Sequence, residues 1–388
     1  MLDDARPRTM LAEPPATARV TPLRLLHVIP SFTTGGVPIR LVNIANRLGG
    51  DFRHLVLALD GVTSAAERLR PEVDHELVTL AIDKSTPVRN LWRFHSTLAA
   101  LRPDLLLTYN WGAIDWAIVN SVWPVCRHLH FEDGFGPAEM NRTLRRRVLG
   151  RRYGLRGAER IIVPSHTLER IAREVWEIPD DRILYLANGV DCRRFGQVAD
   201  PAIPGFSPRP GERIIGTVAP LRPEKNLRRL IRAFACLPSD LAVRLVIVGD
   251  GAERAALEEE VARCGIQARV HFAGGTPQPE RALHAFDLFA ISSETEQQPI
   301  SVLEAMAAGR PIAGVDVGDI ADMVSRENRP FIVARDDEAA LADAMAKLLV
   351  APSRARAIGA ANQEKARAGF DQETMFAAYD RLYRGTPL

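Results

Sequence analysis

The chain has 388 residues, of which 46% are hydrophobic and 25% are charged, and its formal net charge is +2. This composition is typical of a folded globular protein and excludes a fibrous or disordered chain. The length indicates about two domains. Because the charges nearly balance, the chain has no overall positive field, and we expect no nucleic-acid partner.

The sequence shows no signal for transfer into or across a membrane. Residues 1–22 include two early acids and several prolines but no continuous apolar stretch, which predicts a loose tail and not a signal peptide. No run of about 18 apolar residues follows. The four cysteines are far apart and form no metal-binding pattern, so we expect reduced thiols and no zinc. These features predict a cytoplasmic protein.

In the first half of the chain, short apolar runs alternate with helical stripes. A strand over Leu25–Ile29 precedes the Gly35-Gly36 turn, and an amphipathic helix follows over Ile39–Leu48. Three further strands are predicted, over Leu55–Leu59, Leu105–Tyr109 and Ile161–Val163. Such alternation indicates βαβ units and a parallel sheet.

A stretch rich in proline and glycine between Arg193 and Arg213 interrupts this pattern and predicts an interdomain linker. The alternation then resumes. The predicted strands of the second half are Ile214–Val218, Arg244–Val248, Val270–Ala273, Leu288–Ile291, Ile312–Val315 and Phe331–Val333. A last amphipathic helix over Gln372–Tyr383 is expected to dock on the first domain.

These elements predict an α/β fold with two Rossmann-like, doubly wound domains and a cleft between them. We expect a tail over 1–22, a first domain over 23–195, a linker over 196–212, a second domain over 213–365 and a C-terminal helix over 366–388 that crosses back to the first domain. Ligands of open α/β sheets bind outside the carboxyl ends of the strands, so we place the site in the cleft.

Two glutamates mark the most informative segment, residues 292–312. A proline suits the first turn of a helix and a glycine suits its end, so Pro299 and Gly309 predict a helix between two strands. Glu304 lies inside this helix, and Glu296 lies in the loop before it. This arrangement lets both carboxylates converge on one ligand. An ordinary amphipathic helix with solvated acids is the alternative.

The predicted helix suits a phosphorylated sugar ligand. Carboxylates accept hydrogen bonds from paired sugar hydroxyls. The first turn, which includes Ile300 and Ser301, offers free N–H groups to a phosphate.

The pair Glu296-x7-Glu304, followed by Ala-Met-Ala-Ala-Gly, resembles the signature of the large retaining nucleotide-sugar glycosyltransferase family numbered four, of the GT-B type. Further motifs extend the resemblance over nearly the whole chain. In order they are Gly35-Gly36, Pro164-Ser165, Asn188-Gly189-Val190-Asp191 with Phe195, Pro223-Glu224-Lys225-Asn226, Val248-Gly249-Asp250-Gly251, and Asp287 with Ser292-Ser293. Their shared order and spacing make the resemblance specific.

The resemblance implies roles for three residues of the second domain. Glu304 would hold the ribose hydroxyls of the nucleotide, Glu296 would lie near the transferred sugar, and Lys225 would face the donor diphosphate. A lysine ammonium there stabilises the charge that develops on the leaving group. Because no Asp-x-Asp metal motif stands in a donor-loop position, we expect a nucleotide-sugar substrate but no metal and no cofactor.

The resemblance also implies that glycine loops approach the donor. Gly35 and Gly36 match the loop that comes near the phosphates, because glycine permits close approach. A plain tight turn is the alternative. Gly249 and Gly251 are expected on the donor-binding side as well.

His130 matches the first-domain histidine that lies beside the acceptor or the transferred sugar in this family. A structural role for His130, or the same role for His128, is the alternative. The polar run from Glu132 to Gly134 suits sugar hydroxyls.

Three positions depart from the family pattern. Pro220 stands where an arginine is usual, and Arg222 is the nearby residue that would supply the guanidinium. Pro38 replaces an acid that usually follows the double glycine. Gln297 and Gln298 replace a Gly-Phe pair after the first glutamate. These changes leave the identity of the transferred sugar undetermined, and they keep a protein that only binds nucleotide sugars as a rival interpretation.

The segment Arg142–Arg160 holds eight arginines and one acid. An amphipathic basic helix can lie on anionic lipid, which predicts peripheral membrane contact. A solvated or acid-paired helix is the alternative.

The sequence therefore predicts a metal-independent retaining glycosyltransferase. It would move a sugar from a nucleotide-sugar donor to a glycan or lipid-linked acceptor, in cell-envelope or exopolysaccharide assembly. The rivals are a non-catalytic nucleotide-sugar-binding scaffold and a non-hydrolysing nucleotide-sugar 2-epimerase, which shares two Rossmann-like domains. Fold alone does not separate the three.

Overall fold

The computed structural model describes residues 21–33, 35–82, 85–135, 144–197 and 200–388. In this part of the chain the backbone forms two parallel sheets, one of seven strands and one of six. Both sheets are flanked by helices. The expectation of two doubly wound α/β domains is confirmed.

The first sheet has the strand order β3-β2-β1-β4-β5-β6-β7. Its strands are β1 (Leu23–Ile29), β2 (Phe52–Ala58), β3 (His75–Leu77), β4 (Leu105–Tyr109), β5 (Arg127–Phe131), β6 (Arg160–Val163) and β7 (Ile183–Tyr185). Its helices are α1 (Gly36–Leu48), α2 (Pro87–Leu101), α3 (Ile114–Val122), α4 (Arg145–Gly154) and α5 (His166–Glu174). Helix α6 (Cys192–Gly196) follows β7, and its residues Cys192 and Phe195 lie in the buried cluster of the second sheet.

The second sheet has the strand order β10-β9-β8-β11-β12-β13. Its strands are β8 (Arg213–Val218), β9 (Val243–Val248), β10 (Val270–Gly274), β11 (Leu288–Ile291), β12 (Ile312–Val315) and β13 (Ile332–Val333). Its helices are α7 (Leu227–Ala235), α8 (Arg254–Arg263), α9 (Pro279–Ala285), α10 (Ile300–Ala307), α11 (Ile320–Met323) and α12 (Glu338–Val350). The chain ends with α13 (Pro352–Gly369) and α14 (Gln372–Arg384).

The apolar runs of the first sheet form strands because both faces of the sheet are covered. Along β1, Leu25 and Ile29 enter one buried cluster, while Leu26 and Val28 enter the cluster on the opposite face. A strand of this kind has no polar face, which is why it reads as a continuous apolar run.

The last helix belongs to the first domain by its packing. Helix α14 contacts α1, and Met375, Tyr379 and Tyr383 lie in the buried cluster of the first sheet. Asp371, just before α14, pairs with Val190 in an isolated parallel bridge. The chain thus crosses back, as expected. The boundary placed between residues 365 and 366 falls inside α13, which packs against α10 of the second domain.

Two other details differ from the sequence-based expectation. Strands β3, β5 and β7 were missed, because they are short or, as in β5, carry histidines and an arginine that break an apolar run. The stretch assigned to the linker begins inside α6, which Asp191 caps through its side chain. Residues 1–20 of the expected tail lie outside the described residues, as do residues 198 and 199 of the linker. No helix in the described ranges has the length and apolar character to cross a bilayer.

Candidate active site

The loops at the carboxyl ends of the two sheets meet across a cleft. Gly36, at the start of α1, lies so close to the start of α10 that a Cβ atom on it would sit 3.6 Å from Cδ1 of Ile300. Ser165, before α5, hydrogen-bonds Gln297, before α10. Loops that carry sequence motifs in the two domains therefore contact each other here.

Lys225 and Glu296 form the central ion pair of this region. Lys225 ends a short turn after β8, and Glu296 lies in the loop after β11. The Nζ atom of Lys225 is 2.5 Å from Oε1 of Glu296, and the Ser293 hydroxyl donates to the same oxygen at 2.8 Å. Their side chains are 20% and 11% exposed, so both groups remain accessible from the cleft. The pair places one mobile positive charge beside an acceptor of hydroxyl hydrogen bonds.

A cavity of about 180 Å³ lies in front of this pair. The first domain contributes the loop after β5, and the second contributes both charged residues with their neighbours. The lining residues are Asp133, Gly134, Phe135, Glu224, Lys225, Thr295, Glu296 and Gln297. Of the polar run predicted to face sugar hydroxyls, Asp133 and Gly134 thus lie opposite the lysine predicted to face the diphosphate.

Glu304 faces a different cavity. It lies on α10, half-buried, and lines a larger space of about 490 Å³ together with Ile300, Arg40 and Asn188. Burial raises the pKa of Glu304 to about 7, with nearby Glu280 adding to the shift and Arg194 opposing it. The carboxyl therefore titrates near neutral pH. Ser301 on the same helix lines a narrow gap shared with Lys225.

Gly35 and Gly36 begin α1 at the edge of the cleft. Gly35 is the N-cap residue with an extended backbone, at φ −179°, so its conformation alone does not require glycine. At Gly36 a Cβ atom would make an ordinary van der Waals contact with Ile300, at 3.6 Å, so this distance does not require glycine either. The approach of Gly35 and Gly36 to a donor stays a prediction.

Gly249 and Gly251 have a structural explanation in the loop after β9. Both have a positive φ, of 143° and 158°, and a Cβ atom on Gly249 would lie 1.9 Å from the carbonyl oxygen of Ala219. On Gly251 it would lie 2.4 Å from that of Leu221. These glycines therefore allow the close approach of this loop to the backbone of the loop that carries Lys225.

Arg222 lies apart from the ion pair. Its guanidinium is 3.9 Å from Glu224, and its side chain is 56% exposed. The residue contributes its carbonyl, which accepts from the Lys225 amide at 3.0 Å. The structure therefore does not bring Arg222 to the position expected from the missing arginine, because its side chain leaves the backbone at a different point of the turn.

His130 is completely buried beneath the cleft loop and does not line the cavity. Its Nδ1 atom is 2.8 Å from the Thr108 hydroxyl, and its Nε2 atom is 3.5 Å from Glu132. His128 shares the same hydroxyl, and burial, together with His130, lowers the pKa of His128 to about 3. These internal contacts agree with a structural role for His130, which was the alternative to a position beside the acceptor or the transferred sugar.

Glu132 anchors the base of the same loop. It forms a buried ion pair with Arg151 of α4, at 2.8 Å. Burial alone would raise the pKa of Glu132, but Arg151 and His130 reverse the effect and keep it below its usual value. The guanidinium of Arg151 also lies over the ring of Trp111, at 5.3 Å. Arg151 and Trp111 therefore support the loop from inside the domain.

Sequence reasoning missed Arg40, which organises the first-domain side of the cleft. This residue of α1 is 8% exposed and binds both carboxylate oxygens of Asp133, at 2.5 and 2.8 Å. Asn188 accepts from the same guanidinium at 2.6 Å. Burial opposes the charge of Arg40, but Asp133 outweighs this and raises the pKa of Arg40. The only sign of this role in the sequence was that Arg40 stands between two apolar residues of the predicted helix.

Within the described ranges, no group of three or more histidines, cysteines or carboxylates is arranged to hold a metal ion.

Comparisons with known proteins agree with this geometry. The model for Glycosyltransferase Family 4 matches residues 34–194, and the model for Glycosyl transferases group 1 matches residues 202–365. The D-inositol 3-phosphate glycosyltransferase of Nocardia farcinica is 31% identical over 283 residues, which are 66% of this chain and 61% of that protein. A GDP-mannose-dependent alpha-(1-6)-phosphatidylinositol monomannoside mannosyltransferase of Mycobacterium tuberculosis is 31% identical over 237 residues, 58% of this chain and 60% of that one.

The chain therefore spans about three fifths of the length of these curated relatives. Among solved structures, Anabaena HepE in complex with UDP has a TM-score of 0.74 at 19% identity, over 94% of this chain and all of that one. This likeness shows the fold.

The two family models flank the linker and together cover the second sheet, every strand of the first sheet except β1, and the loops of the cleft. The chain, with its GT-B fold, belongs to the group 1 glycosyltransferases, the family that the Glu296–Glu304 signature indicated.

Proposed function

We propose that this chain is a retaining glycosyltransferase that takes its sugar from a nucleotide-sugar donor and needs no metal ion. One observation carries the proposal: the Lys225–Glu296 pair lies at the carboxyl ends of the second sheet, 2.5 Å apart, and faces the Asp133–Phe135 loop of the other domain across a cavity. Family membership and the relatives that use nucleotide or lipid-linked sugars support it.

In the proposed reaction, the bond between the anomeric carbon and the leaving phosphate oxygen breaks, and the electron pair goes to that oxygen. The Lys225 ammonium stabilises the diphosphate as its charge develops, which is where a fixed positive charge accelerates the step most. An acceptor hydroxyl attacks the oxocarbenium-like carbon from the same face. Its proton passes to the departing phosphate oxygen, so the configuration is retained and no further base is required.

Glu296 and Glu304 have separate tasks in this proposal. Glu296 accepts hydrogen bonds from hydroxyls of the transferred sugar, within reach of Lys225. Glu304 accepts from the ribose, one turn into α10, whose first-turn N–H groups face the phosphates. Release of Lys225 from Glu296 onto the diphosphate accompanies donor binding.

The test compares Lys225→Met with Lys347→Met, which removes an exposed lysine paired with Asp343 on α12. UDP-, GDP-, ADP- and dTDP-sugars are screened by thermal shift in EDTA, and turnover is measured with the donor that stabilises the wild type. We expect Lys225→Met to lower kcat by about 10²–10³, with Lys347→Met unchanged. If no donor stabilises the wild type, the binding-only scaffold loses support together with the transferase. If a donor binds and no hydrolysis or transfer occurs, the scaffold is correct.

We further propose that the acceptor is lipid-linked and that the protein works at the cytoplasmic face of a membrane in envelope-glycan assembly. The support is helix α4, where Arg145 and Arg146 are exposed beside Leu149 and Tyr153, which are 48% and 52% exposed. Basic and apolar side chains on one surface suit an anionic bilayer. Arg142, the first residue of the segment predicted for this contact, lies outside the described residues. Co-sedimentation with anionic vesicles tests the contact.

A further inference from the structure

The two domains are joined across the cleft by a set of buried polar contacts. The Ser165 hydroxyl donates to the carboxamide oxygen of Gln297 at 3.0 Å. The backbone N–H of Asn188 donates to the side-chain oxygen of Gln298 at 2.5 Å. The side-chain amide of Asn188 donates to the backbone carbonyl of Gln298 at 3.0 Å. Gln297 and Gln298 are only 9% and 5% exposed.

Asp319 adds a contact of the same kind from the loop after β12. Its carboxylate accepts from the backbone amides of His166 and Thr167, at 2.6 and 3.0 Å. These residues begin α5, so a side chain of the second domain caps a helix of the first. The Asp319 amide in turn donates to the Gln297 carbonyl at 2.9 Å, which ties the two loops of the second domain together.

The contacts continue to the loop in front of Lys225. Asn188 accepts from Arg40, and Arg40 holds both carboxylate oxygens of Asp133. The Asp133 amide donates to the Asn110 side chain at 2.7 Å. Asn110 itself has a φ of 55° and a ψ of −177°, a conformation that is costly for a residue with a side chain and that persists only under constraint. The cleft loop is therefore fixed from both sides.

We propose that Gln297, Gln298 and Asp319 form an interdomain clamp that positions the Asp133–Phe135 loop against the Lys225–Glu296 pair. Each is a positioning residue. Gln297 acts through Ser165, Asp319 acts through the start of α5, and Gln298 acts through Asn188, which contacts Arg40 and so Asp133. The effect of the clamp on catalysis rests on the proposed function, whereas the clamp itself does not depend on it.

The two glutamines are suited to this task in a way that the usual Gly-Phe pair is not. A carboxamide offers an acceptor and two donors on a side chain long enough to reach the other domain. Buried hydrogen bonds are directional, and leaving a buried partner unsatisfied costs more than the bond contributes. The clamp therefore fixes one relative position of the loops, whereas an apolar contact would tolerate sliding.

The first experiment measures amide hydrogen exchange in the full-length protein. The variant Gln297→Met/Gln298→Met keeps the side-chain lengths and removes the hydrogen bonds of the two carboxamides, while the bond from the Asn188 side chain to the backbone carbonyl of residue 298 remains. Gln363→Met is the control, because that carboxamide donates to the carbonyls of Ala307 and Gly196, at 2.8 and 3.5 Å, and, within the described ranges, contacts none of the cleft loops. We expect exchange about tenfold faster in peptides that cover residues 165–168, 188–190 and 131–135, with no change along α12. The control should not alter exchange in these peptides.

A second variant keeps the test decisive if the double variant does not fold. In Asp319→Asn the carboxylate is replaced by an amide that can accept only one of the two α5 amides, so faster exchange should be confined to residues 165–168. Unchanged exchange across the cleft in either folded variant overturns the clamp.

The effect of the clamp on catalysis is measured in a separate experiment. With the UDP-, GDP-, ADP- or dTDP-sugar that stabilises the wild type, we expect the double variant to lose about tenfold in kcat while the affinity for the free nucleotide changes less than twofold. A misplaced loop affects turnover and leaves nucleotide contacts in the second domain intact. A parallel loss of nucleotide affinity would instead assign the glutamines to donor binding. If no nucleotide sugar binds at all, the proposed function fails while hydrogen exchange still decides the clamp.

Discussion

At the scale of single residues, burial decides which of the motif residues a ligand in the cleft can reach. Lys225 and Glu296 are partly exposed to the cleft and bonded to each other, so each can exchange its partner for a substrate. His130 and Glu132 are completely buried and their hydrogen bonds are internal. A motif names a residue type at a position, but it does not state the depth at which the side chain lies.

Glu304 gives the clearest prediction at this scale. Its pKa is about 7, and a carboxyl must be ionised to accept from both ribose hydroxyls. Between pH 8 and pH 6 we expect nucleoside diphosphate affinity, measured by calorimetry, to fall about tenfold more in the wild type than in Glu304→Gln. The diphosphate's own titration is common to both proteins. Equal pH dependence in the two would place Glu304 outside the nucleotide site.

The same pKa determines the effect of Glu304 on stability. The folded state holds its proton up to about pH 7, whereas the unfolded chain releases it near the ordinary value of 4.5. The folded state is therefore penalised as pH rises through this window, and the penalty is complete above it. Glu304→Gln removes this penalty, which provides a check of the pKa that does not depend on any ligand.

At the scale of secondary-structure elements, loops after strands place the site, and a second set of loops supports them. The loop after β9 contacts the loop after β8 through Gly249 and Gly251, where any side chain would collide with backbone. The sequence showed these glycines as part of a donor motif. Only the packing of two adjacent loops shows that their role is to hold the turn of Lys225.

Helix α4 gives the prediction at this scale. We expect Arg145→Glu/Arg146→Glu to bind vesicles containing phosphatidylglycerol at least about thirtyfold more weakly than the wild type, since each basic residue contributes roughly 1 kcal/mol near an anionic surface. Co-sedimentation at low salt measures this. Arg326→Glu/Arg356→Glu makes the same change of net charge at exposed positions elsewhere. Equal weakening in both variants would mean that net charge, and not α4, governs the attraction.

At the scale of the whole molecule, the end of the chain completes the core of the beginning. Tyr379 of α14 is 3% exposed and stacks on Phe131 of β5 with ring centroids 5.5 Å apart. Phe131 directly precedes the Glu132–Phe135 loop. Docking of α14 therefore stabilises the first sheet at the edge where the cleft loop begins.

We expect Tyr379→Ala to lower the free energy of unfolding by about 3–5 kcal/mol, the usual effect of deleting a buried aromatic ring. Urea unfolding followed by fluorescence measures it. Tyr153→Ala, at a side chain that is 52% exposed, should change the same quantity by less than about 0.5 kcal/mol. A small effect at Tyr379 would show that α14 is dispensable for the first domain.

The sequence by itself determined the two-domain α/β fold, the family and the segments that line the cleft. It could do so because apolar runs, helical stripes and turn residues are local, and because the Glu296-x7-Glu304 signature keeps its spacing along the chain. Strands such as β5, whose His128 and His130 both hydrogen-bond Thr108 inside the protein, have no such local pattern and were missed.

Only the tertiary structure decided which residues share a cavity. It placed Glu304 and Glu296 in different cavities, turned Arg222 away, buried His130, paired Arg40 with Asp133 and gave Gln297 and Gln298 their contacts across the cleft. The physical reason is that hydrogen bonds and desolvation depend on atoms distant in sequence. The partners of Arg40 and the burial of His130 come from strands, loops and helices that meet only when both sheets are formed.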